Sequence, residues 1–121
     1  LFKDIIEKLF PDLPFTHEQF VNFKQNGKSR HFWLDFFFPT LRIAVEINPA
    51  WHEQYQPVID QDKVKTELLA TRRNIQTIPV RVKGRMVKGR WQPSLNQEDT
   101  RKAIRILKQA QISPECLNYY I

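Results

Sequence analysis

Apolar positions along the chain change period several times, and each change marks an element. Phe2, Ile5, Ile6, Leu9 and Phe10 recur at helical spacing, which predicts an amphipathic helix over 2–10 that Pro11 and Pro14 end. Residues 15–23 are rich in aromatic and β-favouring side chains and read as a strand. Asn26-Gly27 is a hairpin-turn dipeptide. Residues 31–38 predict a second strand, apolar on both faces except for Asp35 and therefore central in its sheet. After Pro39-Thr40, the alternation of Leu41, Ile43, Val45 and Ile47 predicts a third strand over 41–48. Residues 49–57 read as a loop, and 58–72 as a helix that packs Val58, Ile59, Val64, Leu68 and Leu69 on the sheet and stops at Asn74. Residues 75–82 predict a fourth strand, with Pro79 pointing to an edge or a bulge. KGRMVKGR at 83–90 reads as a basic loop or short hairpin. Ser94 and Gln97 resemble a capping box opening a helix near 96–110. The predicted order is α-β-β-β-α-β-α.

Composition narrows the class. The 121 residues are 41% apolar and 26% charged, a globular balance with enough chain for one core. No apolar run is long enough to span a bilayer. Cys116 is the single cysteine, which excludes an internal disulfide framework or a multi-cysteine zinc site, and no signal-peptide pattern is visible. The formal net charge of +6 is divided unevenly. Residues 1–62 carry 6 basic and 9 acidic side chains, and residues 63–121 carry 13 and 4. A basic half beside a carboxylate-rich half suggests a polyanionic partner.

Two carboxylates interrupt the apolar strands, Asp35 and Glu46. Each needs a cation or a metal if buried. A two-residue turn at Pro39-Thr40 would pair Asp35 with Ala44 and Trp33 with Glu46. The two acids would then be diagonal neighbours on one face, Cα atoms about 7–8 Å apart, within reach of one shared ion. A basic side chain from a covering helix would satisfy them equally well. His52 lies just past the third strand, where it could serve as a base. Asp62 and Lys65 sit one turn apart on the following helix, and Glu7 and Asp4 lie on the polar side of the first.

Asp35, then Glu46-Ile47-Asn48-Pro49-Ala50-Trp51-His52, then Asp62-x-x-Lys65-x-x-x-Leu69, resembles the very-short-patch-repair-like branch of the PD-(D/E)XK nuclease superfamily. Within that branch it looks most like phage homing endonucleases of the Glu-Asp-x-His-Asp type. The resemblance covers residues 1–83. It implies an α/β (α+β) fold with a PD-(D/E)XK-like core, order α-β-β-β-α-β plus a C-terminal helix, and a mixed four-stranded sheet flanked by helices. It also implies one catalytic domain, core about 1–83 and basic loop and helix 84–121, cut from a longer protein of a prokaryotic or phage-infected cytoplasm. Asp35 would be the invariant metal ligand, Glu46 the second ligand, His52 the loop histidine, Asp62 the helix acid and Glu7 the first-helix glutamate. The chain departs from the pattern where Glu-x-Lys reads Glu46-Ile47-Asn48 and where the loop glycine is replaced. His52 or Lys65 must take the missing lysine's role.

The activity so implied is Mg²⁺-dependent hydrolysis of DNA phosphodiesters to 5′-phosphate and 3′-hydroxyl, with Mn²⁺ as substitute ion. Asp35 and Glu46 would hold the ion, His52 would orient the attacking water, and Lys65 would stabilise phosphate charge. Double-stranded DNA would be the partner, and cutting both strands would take a homodimer. Arg72, Arg73, Arg81, Lys83, Arg85, Lys88 and Arg90 are expected at backbone phosphates. Trp91, inside the basic stretch, is expected at the DNA, whereas Trp33 and Trp51 are expected in the core. Three other readings remain at this point: an inactive nucleic-acid-binding module, a mismatch-repair nicking enzyme, and an interaction domain with salt-bridged carboxylates.

Overall fold

The computed structural model describes residues 2–49 and 55–112, apart from the side chains of Gln25 and Arg85. Along the chain run α1 (Phe2–Leu9), β1 (Thr16–Gln25), β2 (Lys28–Phe38), β3 (Ile43–Pro49), α2 (Gln56–Arg73), β4 (Gln76–Val87), β5 (Arg90–Leu95) and α3 (Gln97–Ile112). The strands form one sheet in the order β1-β2-β3-β4-β5. The β3–β4 pair is parallel and the other three are antiparallel, so α2 is the crossover that a parallel pair requires. The result is a mixed α/β arrangement with apolar clusters on both sheet faces. Ile43 and Val45 join α1 and α3 through Phe2, Ile6, Ala103, Leu107 and Ala110. Ala44, between them, joins α2 through Leu68 and Leu69.

The sheet has five strands among the described residues, where four were expected. Of the two readings of 83–90, a basic loop or a short hairpin, the structure has the hairpin: the outer half of β4, a two-residue turn, and Arg90–Leu95 returning as a strand. Lys88 and Gly89 take φ of 52° and 75°, nearly the angles of Asn26 and Gly27 in the first hairpin (52° and 76°). Lysine does not advertise that conformation as asparagine does, so this turn was hidden in a charge run. The helix after it is capped by Asn96, whose side-chain oxygen accepts the Asp99 N–H at 2.9 Å, instead of by Ser94. Asn74 stops α2 as expected, in the left-handed region at φ 54°. Pro57 opens that helix, where a missing N–H costs nothing.

β2 has neighbours on both sides, although β3 holds the middle position and residues 28–31 are exposed. Its apolar side chains serve both clusters because the strand kinks. The β1–β2 register passes over Glu18 and Asp35, and Glu18 sits at φ 59°. Before that point Phe32 and Leu34 pack toward α2; after it Phe36 and Phe38 pack toward α1 and α3. Pro79 lies in an interior strand, but β5 pairs with β4 only from Val82 outward, so the proline occupies a locally open edge.

One glycine is required for a close approach. The Trp91 indole lies directly on Gly84, and a Cβ there would collide with its six-membered ring. Gly84→Ala is expected to cost about 1 kcal/mol by overpacking. It should also shift the Trp91 indole N–H resonance, and in a Trp91→Ala background the cost should vanish. Equal urea midpoints for Gly84→Ala and the parent would contradict this packing.

Candidate functional site

The loop from Pro39 to Arg42 is two residues longer than the expected turn, and Phe38 pairs with Ile43, Phe37 with Ala44 and Phe36 with Val45. The register is displaced by two, an even shift that keeps Phe36, Phe37 and Phe38 on their expected faces, whereas Phe32 and Leu34 change face at the kink. The ladder ends at the Phe36–Val45 pair, one position short of Asp35 and Glu46. The ladder stops there because the Asp35 side chain replaces it: Oδ2 accepts the Ile47 backbone N–H at 2.7 Å.

Glu46 is buried, with 8% of its surface exposed. Its Oε2 accepts from Lys65 Nζ at 2.8 Å, and Lys65 also donates to the Trp33 carbonyl at 2.8 Å. Lys65 therefore reaches from α2 into the sheet. Glu46 Oε1 is buried with no hydrogen-bond partner among the described residues, as is Thr77 Oγ1. Burial pushes the Glu46 carboxyl up to about 7 against the opposing pull of Lys65, and the negative charge of Asp35 adds to the rise. The carboxylate is under-compensated by its one cation.

Glu46, Lys65 and Asp62 share a cavity of about 150 Å³ with Asn48, Thr66, Thr77 and Pro79. A shallower cleft of about 500 Å³ continues from it along α2, lined in part by Asn48, Asp62, Thr66 and Pro79. Asp35 is not in the cavity wall. Neither is Glu7, which is exposed on α1 and paired with Lys3 at 3.8 Å; α1 belongs to the sheet face opposite α2. His52 and Trp51 lie outside the described residues. Sequence reasoning passed over Thr77, Thr66 and Asn48 as cavity residues. A threonine two positions from Pro79, on the alternate face from Ile78 and Val80, was the available signal for the first.

The expected phosphate contacts separate into two groups. Arg72 and Arg73 donate to the β1 carbonyls of Lys24 and Asn22 at 2.5 and 3.0 Å, and Arg73 also stacks over Phe23. Arg81 grips Asp99 of α3 at 2.8 and 3.3 Å and holds that carboxyl below its ordinary range. These three tie elements together. Lys83, Arg85, Lys88 and Arg90 lie on the β4–β5 hairpin, where Lys83, Lys88 and Arg90 are exposed. Trp91 is exposed beside them, and Trp33, expected in the core, is 57% exposed with its ring edge against Phe20.

Neither models of protein families nor curated proteins match this sequence. No helix among the described residues is long and apolar enough to cross a membrane.

The donor set can be tested against a hard divalent cation. Two carboxylates from adjacent strands offer oxygen ligands, and Glu46 Oε1 lacks a partner. Among the described residues no third His, Cys, Asp or Glu completes a cluster with them. An ion such as Mg²⁺ retains several waters and takes one or two carboxylates, so two such donors match its chemistry, although Asp35 lies outside the cavity wall that Glu46 lines.

Proposed function

We propose that the chain is a metal-dependent DNA endonuclease domain whose centre is Asp35, Glu46 and Lys65. The observation that carries this reading is Glu46, buried, raised in pKa and paired with a lysine while one of its oxygens stays unpartnered. The element order α-β-β-β-α-β, with β3 and β4 parallel, supports a PD-(D/E)XK-like core. Lys65 supplies from the helix the cation that Asn48 does not supply from the strand.

Asp35 and Glu46 would hold Mg²⁺ or Mn²⁺, which when bound polarises the scissile phosphate and acidifies a water. Lys65 favours the ionised form of Glu46 and offers positive charge where phosphate charge develops. Asp62 lines the same cavity. His52 is the proposed base, and the products are a 5′-phosphate and a 3′-hydroxyl.

A second reading has its own support. Asp35 already accepts a backbone N–H and Glu46 already has Lys65, so the same residues suit a nucleic-acid-binding module that does not cleave. Supercoiled plasmid separates the two. With Mg²⁺ or Mn²⁺ the chain is expected to convert it to nicked or linear form, and with EDTA to leave it intact. Plasmid bound but uncut with either ion would remove the nuclease reading and leave the binding module.

A further inference from the structure

We propose that the polar face of the β4–β5 ribbon is a base-reading element for the major groove of duplex DNA, with Arg90 and Gln92 as its specificity-determining side chains. This deepens the DNA reading of the proposed function but does not require cleavage.

The ribbon stands apart from the rest of the sheet. The β3 pairing of β4 ends at Val82, opposite Pro49, and among the described residues only β5 pairs with β4 beyond it. Residues 82–97 contain four cations and no acid. Register then sorts the side chains. Gly84 faces Pro93 and Met86 faces Trp91, so these four share one face, with the Trp91 indole laid on Gly84. Lys83 faces Ser94 and Val87 faces Arg90, and Gln92 alternates with Trp91 onto their side. Lys83, Arg90, Gln92 and Ser94 are all exposed. One face is therefore apolar and carries the tryptophan; the other carries cations and hydrogen-bonding side chains.

A two-stranded antiparallel ribbon has the width that the B-form major groove admits. Arginine pairs with guanine and glutamine with adenine through two hydrogen bonds each, which makes Arg90 and Gln92 the readers. The deep, narrow major groove of A-form RNA excludes such a ribbon, so the partner is duplex DNA. The polar face is also the cavity's face. Thr77 and Pro79 line the cavity and alternate in step with Lys83, with no slip in either β4 register. Lys83 is four positions beyond Pro79, about 13 Å of strand, or about four base steps along a duplex.

The test selects binders from a pool of short duplexes with a randomised centre, in EDTA, using the full chain. The wild type is expected to enrich a preferred sequence. Gln92→Ala should erase the preference at one position, and Arg90→Ala should cost about tenfold on the selected duplex and little on random DNA. Lys88→Ala should weaken all duplexes alike and lower the salt dependence. Trp91→Ala should keep the preferred sequence. An unchanged preference in both Gln92→Ala and Arg90→Ala overturns the inference, as does equal competition by double-stranded RNA or by anionic vesicles. Cleavage without ribbon dependence would sink the inference alone, and ribbon-dependent binding without cleavage would sink only the nuclease reading.

Discussion

Replacing Lys65 with methionine is expected to cost about 3 kcal/mol of stability at pH 8.5, because it leaves a carboxylate in the sheet without its cation. The loss should be smaller near pH 4.5, about 1 kcal/mol for the hydrogen bond to Trp33, since Glu46 is then protonated in the folded state. The wild type already carries the sign of this effect. Glu46 titrates at about 7 when folded against 4.5 ordinarily, so the folded state holds the extra proton between those values. Stability is therefore full below about pH 4.5, falls by about 3 kcal/mol as pH rises to 7, and then levels. In Lys65→Met the folded pKa rises further and the decline continues past pH 7. Glu46→Gln should flatten the wild-type profile. Mg²⁺ should flatten it too if the carboxylates bind the ion, a readout independent of activity. Urea midpoints across this range decide the matter; a level wild-type profile would mean that Glu46 is not held as described.

The nearness of Asp35 to Glu46 was legible in the sequence, although the register was not. Side-chain face depends on whether a shift is odd or even, and loop length sets the shift. The longer Pro39–Arg42 loop displaced the ladder by two and so preserved the face of residues 36–38, while the kink at Asp35 reversed it for Phe32 and Leu34. Lys65 was legible only as a charge. Its acceptors are a glutamate nineteen residues away and a backbone carbonyl thirty-two away, and helical spacing carries no trace of either. The arginines illustrate the same limit. Composition counts Arg72, Arg73 and Arg81 as available cations, while tertiary contacts spend their guanidinium groups on β1 carbonyls and on Asp99. What pattern could reach was the sign of the field in the second half. What it could not reach was which cations are left to make that field. Exposed cations remain on α3, at Arg101, Lys102, Arg105 and Lys108, and at Lys83, Lys88 and Arg90 of the hairpin, whose turn was the element least visible by residue type.

Asp35 carries two duties that a pair of substitutions can separate. Its Oδ2 closes the ladder by accepting the Ile47 N–H, and its charge faces Glu46. Asp35→Asn keeps an oxygen for the N–H and removes the charge, so its stability should stay within about 0.5 kcal/mol of the wild type. Asp35→Ala leaves the N–H without an acceptor in a half-buried site and should lose about 1–2 kcal/mol. Both remove a negative neighbour from Glu46, which lowers its folded pKa, so the falling limb still starts near 4.5 but ends at lower pH and is smaller. Metal-dependent nicking should fall more than about 100-fold in both, since losing even an outer-shell partner of a metal costs about 10–100-fold. DNA binding in EDTA should hold or tighten, because a negative charge has been removed beside the phosphate path. The asparagine variant is the decisive one. Folded, binding DNA and inactive, it would make Asp35 a ligand as well as a backbone acceptor; folded and as active as the wild type, it would leave Asp35 the backbone duty alone and withdraw it from the metal site.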